Sequence, residues 1–183
     1  MKSLVKSSVL AAALLVGHAA HAQSLGPGSD GPMDITADEL EVQNKACVSV
    51  WKGKAEALQG QARLRADIIR AFFQPKPGAS SATGTGACGD LIRIEAEGSV
   101  YYVTSKDQRV RGDNGVYDAN SETVTLTGDV VAVQGQNVLR GTKMVFNSTT
   151  GEGRMVGNST GVNAKSRPRG VFYPSKKQAS AAK

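Results

Sequence analysis

The chain has 183 residues, with 22 Lys and Arg against 16 Asp and Glu, a formal charge of +6, two cysteines and two histidines. That is enough for one domain with its own core. Both histidines, His18 and His21, lie within the first 22 residues. The chain beyond them therefore cannot perform Ser-His-Asp or Cys-His catalysis or build a His-based zinc site.

Those 22 residues read as an export signal. Lys2 and Lys6 supply a positive start, Val9 to Val16 an apolar run, and Ala20-His21-Ala22 an A-x-A cleavage site. The apolar run is about half of what a bilayer requires, and no later stretch approaches the roughly 20 apolar residues of a spanning helix. No cysteine follows the run to take a lipid anchor. A mature chain from Gln23 keeps 20 basic and 16 acidic residues, a mild excess gathered at Lys165, Arg167, Arg169, Lys176, Lys177 and Lys183. An exported protein meets anionic lipid headgroups or acidic glycans rather than nucleic acid. Residues 23–32 read as a flexible start and Ser175 to Lys183 as a basic, disordered tail.

From Met33 the pattern is β throughout. Short alternating runs such as Ile92-Arg93-Ile94-Glu95 and Thr123-Val124-Thr125-Leu126-Thr127 are separated by Gly, Asn, Asp and Ser clusters. A short helix near Asp38 to Val42 is an alternative, and Ala62 to Phe73 is also rich in helix formers. An internal repeat argues for strand in the latter. Gly53, Gln59-Gly60-Gln61 and Leu64-Arg65 recur 75 residues later as Gly128, Gln134-Gly135-Gln136 and Leu139-Arg140, with a weaker copy from Gly98. Each unit is a strand, a tight turn and a returning strand, so stacked hairpins share one buried face. The two-residue period puts Val124, Leu126, Gly128, Val130 and Ala132 on one side, with Trp51, Gly53, Ala55 and Ala57 in the matching places. Thr123, Thr125, Thr127 and Asp129 take the wet side. Pro75 to Gly89, rich in Pro, Gly, Ser and Thr, is an inserted loop.

Cys47 and Cys88 are a disulfide candidate in an oxidising compartment, with two separate buried thiols as the alternative. Gly84-Thr85-Gly86-Ala87-Cys88-Gly89 matches GxGxxG but leaves a loop to enter a strand, which is the wrong context for a dinucleotide site. No P-loop, metal cluster or cofactor motif is present. Asn147-Ser148-Thr149 and Asn158-Ser159-Thr160 read as turns. Glu95, Glu97, Asp113 and Asp118 could pair for glycoside hydrolysis, but a chain with one Trp lacks the aromatic platforms of such clefts. The reading is non-enzymatic.

Several segments together resemble a family. Met33-Asp34-Ile35-Thr36-Ala37-Asp38 is similar to the opening strand of LptA/OstA-like periplasmic lipopolysaccharide transport proteins. Thr127-Gly128-Asp129-Val130 with Gln134-Gly135 is similar to their repeated hairpins. Gly98-Ser99-Val100-Tyr101-Tyr102, Val110-Arg111-Gly112 and Tyr117-Asp118 follow in the same order. The resemblance covers Met33 to Pro174. It departs at the two cysteines, at the inserted loop, and at Trp51-Lys52-Gly53 where Phe-Thr-Gly is usual.

The resemblance implies an all-β fold, an open antiparallel β-jellyroll over residues 33–174. It also implies a periplasmic carrier that bridges inner and outer membranes, with LptC-like and LptD-like partners and head-to-tail self-assembly by edge-strand addition. Lipopolysaccharide acyl chains would ride in a groove. Candidates to line it are Met33, Ile35, Leu64, Tyr101, Val103, Val124, Leu126, Val130, Leu139, Met144 and Phe146. Each methylene kept from water contributes roughly 0.8 kcal/mol, so such cargo needs shielding. Competing readings are a periplasmic module for another amphiphile or a glycan, and a carboxylate-dependent glycan enzyme.

Overall fold

The computed structural model describes residues 31–76, 88–104, 108–157 and 167–174. The expected signal, most of the 23–32 start, the centre of the inserted loop and the basic tail lie outside them. Ten strands form one antiparallel sheet: β1 (Asp34–Thr36), β2 (Glu39–Gln43), β3 (Val48–Gln59), β4 (Ala62–Pro75), β5 (Cys88–Val103), β6 (Arg109–Asp118), β7 (Thr123–Gln134), β8 (Asn137–Asn147), β9 (Gly153–Val156) and β10 (Arg169–Val171). Strands β3 to β8 follow one another as hairpins. The short strands share the edges, β1 and β2 pairing with different ends of β3, and β10 and β9 with different ends of β8. Among the described residues the sheet thus has eight lanes and two unpaired borders.

No helix occurs among the described residues. Ala62 to Phe73 lies within β4, as the repeat argued, and Asp38 to Val42 falls almost wholly in β2 rather than in a helix. The inserted loop is shorter than composition suggested. Pro75 ends β4, Cys88 and Gly89 begin β5, and Pro75 faces Cys88 across the ladder. Proline is tolerated there because a strand end needs no further ladder donor.

Each long strand is interrupted near its middle. Register shifts fall between Lys52 and Ala55, Arg65 and Ile68, Glu97 and Val100, Arg111 and Asn114, and Thr127 and Val130. Together they make a seam across the sheet, and bulges bend the strands that carry them. The bend brings the two halves of the sheet face to face, so that Tyr102 from one half has its ring centroid 6.0 Å from that of Phe146 in the other.

A repeated device builds the seam. Gly53, Gly98 and Gly128 adopt positive φ of 82°, 77° and 104°, a region that other residues enter only with strain. Against each lies an aspartate of the neighbouring lane: Asp38, between β1 and β2, Asp67 and Asp113 respectively. A Cβ added at Gly53 would sit 2.6 Å from the Asp38 carboxylate. Each aspartate follows a small residue, as in Ala37-Asp38, Ala66-Asp67 and Gly112-Asp113.

The core lies between the two layers. One inward row crosses all eight lanes as Ile35, Ala57, Leu64, Tyr102, Val110, Ala132, Leu139 and Gly170. The facing layer has the row Leu40, Trp51, Ile69, Ala96, Gly115, Leu126, Met144 and Met155. Both rows mix small residues such as Ala57, Ala96, Gly115 and Ala132 with large ones such as Leu64, Tyr102, Trp51 and Met144. The outward side carries ion pairs: Glu56 with Arg63 and Arg65, Glu97 with Arg70, and Glu95 with Arg93.

Candidate functional site

The interior is an extended apolar surface that the alternation creates, and it changes character along its length. At its centre Ala55, Ala57, Ile69, Ala71, Val110 and Val130 have no exposed surface at all. Leu64, Val100 and Tyr102 meet Ile94, Ala96, Tyr117, Val124 and Leu126 around a residual space of about 20 Å³, room for about one water. In this state the middle is filled by the protein's own side chains.

The interior opens at the first border. A cavity of about 320 Å³ is lined by Leu40, Val42, Cys47, Val48, Trp51, Phe73 and Cys88, with Gln43, Asn44, Ser49 and Gly89 at its rim. Leu40 and Val42 point into it because they pair with Trp51 and Ser49 on the inward side of β3. Both are about half exposed, Leu40 48% and Val42 50%. Two exposed aliphatics beside a Trp, continuous with the core, are an apolar surface that the described residues leave open.

The disulfide frames this mouth. Cys47 and Cys88 are bonded, with Cα atoms 5.6 Å apart. Cys47 occupies a tight turn at φ 51°, and its carbonyl accepts a hydrogen bond from the Phe73 amide at 2.9 Å. The turn between β2 and β3 is therefore tied to both β4 and β5.

The expected lining residues divide three ways. Leu64, Val124, Leu126, Val130, Met144 and Phe146 lie together in the buried interior. Met33 and Ile35 from the first lane and Leu139 from β8 pack against it, partly buried. Tyr101 and Val103 do not join them. Tyr101 is flanked by Arg65 and Arg111, and Val103 by Arg63 and Arg109, on the outward side. The inward residues of that strand are Val100 and Tyr102. The bulge at Gly98 resets the alternation just before Val100-Tyr101-Tyr102-Val103, and a run of four apolar residues carries no parity of its own. Leu40, Val42 and Phe73 were not among the expected residues. The alternation of Leu40 and Val42 with Glu39 and Glu41 is the signal that finds the first two.

Two tyrosines, Tyr102 and Tyr117, bring phenols into the interior. Burial pushes the Tyr102 phenol well above its ordinary value, and burial first, then Glu122, raises that of Tyr117. The Tyr117 hydroxyl is hydrogen-bonded with Ser148. The four acids considered for glycan chemistry have structural partners. Glu95 and Glu97 are in ion pairs, Asp113 covers Gly128, and Asp118 accepts bonds from the Ser121 amide and hydroxyl at 2.9 Å. The Ser121 amide is the first cause of a lowered Asp118 pKa. Among the described residues no group of His, Cys, Asp and Glu could hold a metal ion.

A single antiparallel sheet bent into two layers, apolar within and open at its borders, defines an open β-jellyroll. Residues 34–152 match the model of the LptA/(LptD N-terminal domain) LPS transport protein family, and the chain belongs to that family. An uncharacterized protein of Rhizobium meliloti (strain 1021) is 29% identical over 150 residues, 81% of this chain and 78% of its own length. Among solved structures, LptH of Pseudomonas aeruginosa, described as the LptA-homologous periplasmic component of the conserved lipopolysaccharide transport device, has the same fold. The match has a TM-score of 0.63 and 21% identity, covering 80% of this chain and 98% of that one.

Proposed function

We propose that this protein is a non-enzymatic periplasmic carrier that bridges the inner and outer membranes for lipopolysaccharide. It would be exported by the signal over residues 1–22 and act through a domain spanning 33–174. Its acyl-chain site is the interior entered at the mouth of Leu40, Val42, Trp51 and Phe73. That mouth carries the reading, because it exposes apolar surface continuous with an inward face that is apolar across eight lanes. Such a surface attracts alkyl chains without directional demands, so cargo can slide. The filled centre adds a condition: acyl chains pass only as the two layers separate, and the layers close behind them.

An LptC-like inner-membrane protein and an LptD-like outer-membrane protein are the partners in this reading. Copies join head to tail through the unpaired borders. Energy for transport comes from elsewhere, since the chain has no nucleotide motif.

Photo-crosslinking tests the route. A crosslinker in place of Trp51 or Leu126 should capture lipopolysaccharide in cells, and one in place of Tyr101, on the outward side, should not. Depletion should leave lipopolysaccharide at the inner membrane. Capture of a different amphiphile or a soluble glycan at Trp51, or equal labelling at Tyr101, would overturn the reading.

A further inference from the structure

The two borders of the sheet are sorted by charge. The first lane, residues 31–43, contains Asp34, Asp38, Glu39 and Glu41 and no Lys or Arg. Asp34, Glu39 and Glu41 project outward, since they pair with Leu58, Lys52 and Val50 on the outward side of β3. Lys52 alone serves both Glu39 and Glu41, at 3.8 and 3.0 Å. The last lane reverses the sign. Strands β9 and β10 contain Arg154 and Arg169 and no acid, and β8 behind them adds Arg140 and Lys143.

Arg140 and Arg169 are direct Cα partners, a like-charge pairing that disfavours the isolated chain. They flank a cleft of about 470 Å³ on the outward side. Among the described residues none of Arg140, Lys143, Arg154 and Arg169 lies in an ion pair, whereas Arg63, Arg65, Arg70, Arg93 and Arg111 of the inner lanes all do. These five arginines of β4 to β6 are balanced by acids, whereas the four cations of β8 to β10 are not.

Resting on the head-to-tail reading above, we propose that this charge sorting sets the polarity of assembly: the acidic β1–β2 border of a second copy docks on the basic β9–β10 border of the first. Keeping layer with layer, Asp34 of one copy then lies toward Arg169 of the other, and Glu39 and Glu41 toward Arg154. Inward residues at both borders, Leu40 and Val42 on one side and Met155 on the other, continue a single interior. Joining two like borders would set acid against acid or Arg against Arg, so wrong orientations are rejected by repulsion.

The test uses the mature chain and two variants, Arg154→Glu with Arg169→Glu, and Asp34→Arg with Glu39→Arg, each checked for an unchanged melting profile. In sedimentation velocity the native chain should associate end to end. Association should weaken roughly tenfold or more between low salt and about 1 M salt, where the Debye length falls to about 3 Å. Each variant alone should stay monomeric. An equimolar mixture should associate again, in chains that alternate the two variants, because the native junction and the charge-reversed one both set acid against base. Native-like, salt-insensitive association of the arginine variant would overturn the charge-sorting proposal. Engineered Cys pairing of Thr36 with Val171 between copies, both on the outward side, separates the two claims. If that link forms in the arginine variant as in the native chain, edge assembly stands and its electrostatic control falls. If the native chain forms no such link at any concentration, both fall.

Discussion

Replacing Cys47 and Cys88 together by alanine removes the one covalent tie in the described fold, and its effect can be worked out. The bonded residues are 41 apart in sequence. Closing a loop of that size restricts the unfolded chain by about 13 cal/mol/K, or about 4 kcal/mol at 25 °C. For a domain of this length, where about 1 kcal/mol moves Tm by roughly 2–4 °C, Tm should fall by about 8–16 °C. The folded side changes less, because the Phe73 amide still bonds to the carbonyl of residue 47. Urea unfolding followed by far-ultraviolet circular dichroism reads both consequences. The midpoint should drop, and the m-value should rise, because an unlinked unfolded chain exposes more surface. A loss below about 1 kcal/mol with an unchanged m-value would refute the loop-closure argument, since the unfolded chain would then be equally compact with and without the bond.

Four further outcomes follow from the geometry. Gly128→Ala should destabilise by about 1–2 kcal/mol through its positive φ and further through contact with Asp113. Asp113→Ala should recover part of the loss, and strict additivity in the double-mutant cycle would show that the aspartate does not pack there. Tyr102→Ala, emptying a site 3% exposed, should cost about 3–5 kcal/mol and Tyr101→Ala well under half of that; equal losses would contradict the assignment of faces. Because burial raises the Tyr102 and Tyr117 phenols above 10.0, stability should be full below pH 10 and decline above it as the unfolded chain ionises first. Tyr102→Phe should flatten that decline in alkaline melts, and an unaltered alkaline slope would count against it. Amide exchange at Leu40 and Val42 should slow when lipopolysaccharide is added if the mouth receives it, and unchanged exchange would point to another entry.

Much of this architecture could be read from residue order. The 75-residue repeat placed Gly53 and Gly128 in equivalent positions, and both prove to be seam glycines. Threonines alternating with Val124 and Leu126 gave the correct face for β7. Parity failed at Tyr101 and Val103 because both sides of β5 are apolar there and the preceding bulge adds a residue. The mouth escaped notice because Leu40 and Val42 stand in a five-residue strand with three charged or polar neighbours, too short to separate from a helical turn. The partnership of Asp38 with Gly53, and of Asp113 with Gly128, joins residues 15 apart in sequence across neighbouring strands. It is legible only once the pairing register is known.

An unclosed sheet has no intrinsic size. In the edge-to-edge assembly proposed above, each copy would contribute eight lanes at about 4.8 Å spacing, or roughly 38 Å of added reach. A gap wider than one molecule is then met by changing the number of units, without lengthening the polypeptide.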